Sequence, residues 1–242
     1  MNENKKILNL TTNVYNELFD KINELTWYPW IGSNYTENKI LLIGESHYAQ
    51  DENGNFDKEC YEDFKSDKNT TINIVERLFN GESWKFFQNT YKALLGTDNI
   101  NKKAFWSNVA FYNFVQLPRK GREDKPSKPD FISGWDVFYE LLEVIKPTHC
   151  VFLGLSSAQY LKSVMKGKKG IIFADKKSTF EQCDKKIGYF WGRIAHLEYE
   201  DVNTDITFIH HPSIAFKDKD WHNYLVERMG VTLEKLNSKT KA

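Results

Sequence analysis

The chain carries 33 basic and 33 acidic residues among its 242, so bulk charge selects neither nucleic acid, membrane nor acidic partners; only local clusters could. A hydrophobic fraction of 40% is ample for a packed core. Three scattered cysteines, Cys60, Cys150 and Cys183, exclude a disulfide framework and a four-cysteine metal or iron–sulfur site within one chain. No segment has the length and apolarity of a membrane span, and Met1–Lys6 lacks the apolar stretch of a secretion signal. A cytoplasmic, monomeric protein is expected.

From the amino end, Leu10, Val14, Leu18, Ile22 and Leu25 recur at helical spacing and predict a helix over 8–25, stopped by Trp27-Tyr28-Pro29-Trp30. Lys39-Ile40-Leu41-Leu42-Ile43-Gly44 is short, apolar and ended by glycine, as a parallel strand buried on both faces should be. The polar, acidic stretch 49–69 reads as a long loop or lid. Helices follow at 73–78 and 83–95, then a strand within 104–111. A basic, proline-containing loop spans 118–129. A helix over 132–145 precedes a third buried strand, Thr148–Gly154, and a helix over 156–165. A short strand near 170–173 and an irregular segment lead to Asp205-Ile206-Thr207-Phe208, a strand running into Ile209-His210-His211-Pro212-Ser213. A helix over 221–236 closes the chain, with a polar, frayed tail beyond Asn237. Strands alternating with helices predict one α/β domain, with the core at about 40–236: a three-layer α/β/α sandwich around a mostly parallel, four-stranded sheet.

In such a sheet, ligands bind at the carboxyl ends of the strands. Three strand ends carry chemistry: Gly44-Glu45-Ser46-His47-Tyr48, Ser107-Asn108-Val109-Ala110-Phe111-Tyr112-Asn113, and His211-Pro212-Ser213. Together they offer carboxylate, amide, hydroxyl, imidazole and phenol groups, a set that can grip a planar base and polarise a leaving group. Adjacent histidines on a strand point to opposite faces, so His210 and His211 make a poor metal pair, and no metal or other cofactor is expected. Gly44-Glu45-Ser46 lacks the second glycine of a nucleophile elbow, which argues against a serine hydrolase built on Ser46 with His47 or His211.

These strand ends resemble the uracil-DNA glycosylase superfamily, whose first strand ends in Gly-Gln-Asp-Pro-Tyr or Gly-Glu-Ala-Pro-Gly and whose last ends in His-Pro-Ser. Ser107-Asn108-Val109 is similar to the Thr-Asn-Val of the thermophile-type branch. Ile145-Lys146-Pro147, Val151-Phe152-Leu153-Gly154 and Ala158-Gln159 are similar to its third strand and following helix. The matches keep their order over roughly 40–216, although that branch's iron–sulfur cysteines are missing. The resemblance implies a glycosylase acting on a uracil or modified pyrimidine flipped out of DNA, in base-excision repair or in defence against modified phage DNA. It implies His211 as the donor to the base carbonyl, Asn108 as the amide reading the base edge, and Glu45 as the acid that positions water. It further implies Tyr48 against the pyrimidine C5, with His47, Gly44 and Ser213 completing the pocket. Ser46 stands where another branch has its catalytic aspartate, and His47 stands in place of a proline. Ile214 and Phe216 fall where the family places an apolar wedge, and Phe56 is a weaker match to a base-stacking ring.

Local charge supports a DNA partner. Arg119, Lys120, Arg122, Lys125 and Lys128 share one loop, and Lys162, Lys166, Lys168, Lys169, Lys176, Lys177, Lys185, Lys186 and Arg193 share another region. Structural roles stand beside these: Glu45 as a helix N-terminal acid, Asn108 closing a turn, His210 as scaffold, Phe216 as core, and the lysines as a solvated face. The alternative function is a catalytically inactive nucleic-acid or nucleotide-binding module of the same fold, for which Ser46 is the supporting feature.

Overall fold

The computed structural model describes residues 10–167, 178–213 and 215–241. In chain order its strands are β1 (Trp30–Ile31), β2 (Ile40–Gly44), β3 (Val109–Asn113), β4 (His149–Phe152), β5 (Thr179–Ile187), β6 (Phe190–Tyr199) and β7 (Val202–Phe208). The α-helices are α1 (Asn16–Phe19), α2 (Tyr35–Asn38), α3 (Lys58–Ser66), α4 (Thr70–Arg77), α5 (Lys85–Leu95), α6 (Lys102–Ser107), α7 (Lys128–Ile145), α8 (Ala158–Gly167) and α9 (Asp218–Thr240). All strands join one sheet in the order β1-β3-β2-β4-β7-β6-β5. The protein is thus α/β, but its sheet is seven-stranded and mixed, not four-stranded. β3, β2, β4 and β7 run parallel at the centre, β1 pairs antiparallel with β3 on one side, and the β6–β5 hairpin continues antiparallel from β7 on the other.

The centre is parallel because its strands are apolar on both faces, as helices on both sides require. Leu41, Ile43, Cys150, Phe152, Ile206 and Phe208 pack towards α7 and α8, whereas Ile40, Leu42, Val151 and Leu153 pack towards α5, α6 and α9. Each fully buried aliphatic or aromatic side chain contributes roughly 1.5–3 kcal/mol. β5 is the opposite case: a polar outer strand, its pairing with β6 irregular between Glu181 and Lys185, features that protect an edge from unwanted pairing. No helix among the described residues is long and apolar enough to cross a membrane.

Several local expectations fail for identifiable reasons. Of the segment predicted as a helix over 8–25, the described residues are helical only at Asn16–Phe19. Thr11 pairs with Gly32, Thr12 Oγ1 accepts from the Val14 backbone N–H, and Val14 stays 70% exposed. Side-chain bonding by such threonines competes with helix formation. The expected loop 49–69 contains α3, whose Asp57 N-cap accepts from the Cys60 N–H. The strand placed within 104–111 begins only at Val109, because Asn101 caps α6 by accepting from the Ala104 N–H. The tail is not frayed: α9 continues to Thr240, which is buried, and the Asn101 N–H donates to the Thr240 carbonyl. The strand expected near 170–173 lies outside the described residues.

Candidate active site at the carboxyl ends of the parallel strands

The parallel strands end level with one another. Beyond the regular pairing, the Phe114 N–H donates to Gly44 O (3.0 Å), Leu153 N–H to Ile43 O (2.8 Å) and Ile209 N–H to Phe152 O (3.0 Å). The chain then leaves the sheet at every one of these points. A narrow cleft of about 10 Å³, room for about one water, opens there, lined by Gly44, Glu45, Phe114, Phe131, Gly154, Ser156 and Ser157 among others. Its position is the one that open α/β sheets use for ligands.

His211 lies at the rim, its Cδ2 beside Gly154, one of the cleft residues. The Ser213 backbone N–H donates to His211 Nδ1 (3.3 Å), so in the neutral ring Nε2 carries the proton. Among the described residues Nε2 has no hydrogen-bond partner. Burial, with smaller contributions from His210, Lys125 and Arg122, pushes His211 down to about 4, and at neutral pH it is an uncharged N–H donor. Phe86 of α5 packs on the ring at a centroid distance of 5.2 Å, and Asn89 of the same helix donates to the Pro212 carbonyl (2.6 Å), fixing the loop from below. His210 instead stacks on Phe190 at 3.6 Å and 15°.

The first strand end is tighter. Val115 N–H donates to Glu45 O (2.8 Å), which places the Glu45 side chain at the cleft, with the Tyr48 hydroxyl 3.4 Å from its Oε1. Burial and the Glu45 charge push the Tyr48 phenol up to about 12, so it stays protonated and donates. Ser46 turns away and donates its hydroxyl to the Leu117 carbonyl (2.5 Å), which commits it to a loop contact. His47 is fully buried between Trp27 and Phe64, and burial pushes it down to about 3. Asn113 Nδ2, a donor only, contacts both ring nitrogens (3.0 and 3.1 Å), while Nε2 lies 2.9 Å from Thr71 Oγ1. A consistent assignment has Nδ1 accepting from Asn113 and Nε2–H donating to Thr71.

The structure separates Asn108 from this group. It caps α6 at the amino end of β3, where its amide donates to Ala104 O (2.8 Å) and its carbonyl accepts from Asn38. The amide at the carboxyl end is Asn113, in register with Gly44. Its Oδ1 lies so close to Gly44 that a Cβ there would overlap it, which explains the glycine. Gln116 ties the same loop down: its Nε2 donates to Asn113 O (2.5 Å), and its Oε1 accepts from the backbone N–H groups of Thr26 and Trp27. Asn113 escaped the sequence reading because Ser107-Asn108-Val109 matched a motif five residues earlier. The end of the apolar run at Tyr112 was the available signal.

The basic residues divide. Arg119 is buried and ion-paired to Asp130 (2.7 Å), with Asp124 further off at 3.8 Å, so it holds the loop together. Arg122 and Lys125 are exposed and bear electrostatically on His211, while the Lys120 ammonium sits over the Phe56 ring at 5.5 Å. Phe216 packs on Trp221 (6.3 Å, 14°) and against the core beneath, which is the structural role and not a projecting wedge. Ile214 lies outside the described residues, as do Lys168, Lys169, Lys176 and Lys177. Lys185 pairs with Glu227, and Arg193 donates to Leu155 O (2.8 Å). No protein-family model and no curated protein matches this chain.

The assembled site therefore offers one neutral imidazole donor and one carboxylate beside a protonated phenol, with cations near the imidazole. Such a set can donate to charge developing on a planar leaving group and can orient a water.

Proposed function

We propose that the protein is a glycosylase that hydrolyses the N-glycosidic bond of a uracil or modified pyrimidine flipped out of DNA, within a uracil-DNA glycosylase-like fold. The observation that carries this reading is His211: neutral, fixed through Nδ1, with its Nε2–H unengaged among the described residues at the rim of the cleft. Cleavage leaves electrons on the departing base. A preorganised N–H donor aimed at that oxyanion stabilises the transition state more than the ground state. Arg122 and Lys125 act in the same direction, disfavouring protonation of His211 and favouring an anion beside it. Glu45 orients the attacking water, and the Tyr48 hydroxyl holds the carboxylate in place. Asn113 supports this strand end from within, its amide buried against His47 and Gly44, and Asn108 lies at the far end of β3. Ser46 has no proton-transfer role.

The test is a panel of oligonucleotides carrying uracil, hypoxanthine and glucosylated hydroxymethylcytosine, assayed for abasic sites. Abasic product from at least one, lost in His211→Ala, is expected. No product from any of them counts against the reading and favours the second one, a binding module of the same fold. The commitment of Ser46 to Leu117 leaves that second reading open, because only Glu45 remains as a carboxylate in the first motif.

A further inference from the structure

The β5–β6 hairpin has no role in the cleft chemistry, yet its tip stands at the cleft's level. Arg193 pairs with Phe208, so continuing the antiparallel register brings Phe190 opposite His211, and Phe190 does stack on His210. The turn Gly188-Tyr189 therefore reaches beyond the carboxyl end of β7. Gly188 takes φ +62° at the first turn position and Tyr189 does not share a positive φ, as a type II′ hairpin requires.

Its side chains are unusual for a solvent-facing turn. Tyr189 is 94% exposed and Trp191 42%. Lys186 is the cross-strand partner of Trp191 and so points to the same face. Two residues on, Arg193 lies on that face too and reaches the carbonyl of Leu155, which adjoins Gly154 in the cleft wall. The Lys217 ammonium lies against the tip, 3.4 Å from where a Gly188 Cβ would be. Among the described residues neither Lys186 nor Lys217 is held in an ion pair. Two exposed rings interleaved with cations along a path to the cleft are what single-stranded nucleic acid binds, rings for bases and cations for phosphates.

We propose that the hairpin tip holds the strand that carries the reacting nucleotide, Tyr189 and Trp191 stacking on flanking bases and Lys186 and Lys217 contacting phosphates. This rests on the reading of the cleft as a DNA glycosylase site. The test is binding of a short dye-labelled single-stranded oligonucleotide to the full chain, with base release followed on the same samples. Tyr189→Ala should weaken binding about tenfold, as the loss of one stacked base does, while Tyr189→Phe keeps most of it. The Lys186→Ala/Lys217→Ala double variant should flatten the dependence of log K on log salt by about 1.4, roughly 0.7 per phosphate contact. Wild-type affinity in Tyr189→Ala and an unchanged slope in the double variant would overturn the proposal, as would a wild type that binds no DNA. Binding that is sensitive to Tyr189, with no base released, supports the hairpin assignment and overturns the glycosylase reading alone.

Discussion

Two histidines follow strand ends of the same sheet, and burial depresses both, yet they do different work. His47, after β2, has both ring nitrogens engaged, by Asn113 and Thr71, and is enclosed by Trp27 and Phe64. His211, after β7, has Nδ1 engaged by its own loop and Nε2 without a partner among the described residues. A lowered pKa therefore does not distinguish scaffold from function here. The number of ring nitrogens already spent does.

Substitution should break the symmetry most visibly. His211→Ala should lower the rate of base release by about 10²–10³, the cost of one oxyanion donor, with little change in Tm. His47→Ala should instead cost about 2–3 kcal/mol of stability, since it orphans buried partners at Asn113 and Thr71, and denaturant melts would read this directly. Gly44→Ala connects the two regions: its Cβ displaces Asn113, so a loss of about 1–3 kcal/mol in stability should accompany a loss of base release.

Acid sharpens the same contrast. A histidine held below its ordinary 6.5 takes up a proton more readily when unfolded, so stability is full above about 6.5 and falls as pH drops. The decline should continue to about pH 3 through His47 and to about 4 through His211, as thermal melts across that range would show. Activity should hold through pH 6, where an ordinary histidine would already be charged. The smallest expected effect lies in the basic loop. Arg122→Ala should reduce the salt slope of duplex binding by about 0.9 with Tm unchanged, whereas Arg119→Ala should lower Tm because it leaves Asp130 unpaired.

The parallel centre was legible because Ile40–Ile43 and Cys150–Leu153 are unbroken apolar runs, and Ile206–Phe208 is interrupted only by Thr207, as a doubly covered sheet requires. The hairpin was not, since Thr179–Ile187 is polar at most positions and its partner strand, not its composition, makes it a strand. At the site, the His-Pro-Ser end and Glu45 could be read from their place after apolar runs. Asn113 was marked only by the end of the apolar run at Tyr112, because a six-residue helix occupies what looks like the first half of its strand, whose start moves five residues along and whose end moves two. Ser46 and His47 looked chemical by residue type. Only tertiary contacts, a carbonyl at Leu117 and an aromatic enclosure, show them already satisfied.

The most direct measurement is a nitrogen-15 imidazole NMR titration of the wild type alongside His47→Gln and His211→Gln, which assign the two signals. His211 should appear as the neutral Nε2–H tautomer at pH 7 and remain so until about pH 4. A His211 signal that titrates near 6.5, or that carries its proton on Nδ1, would contradict its assignment as the neutral donor at the cleft.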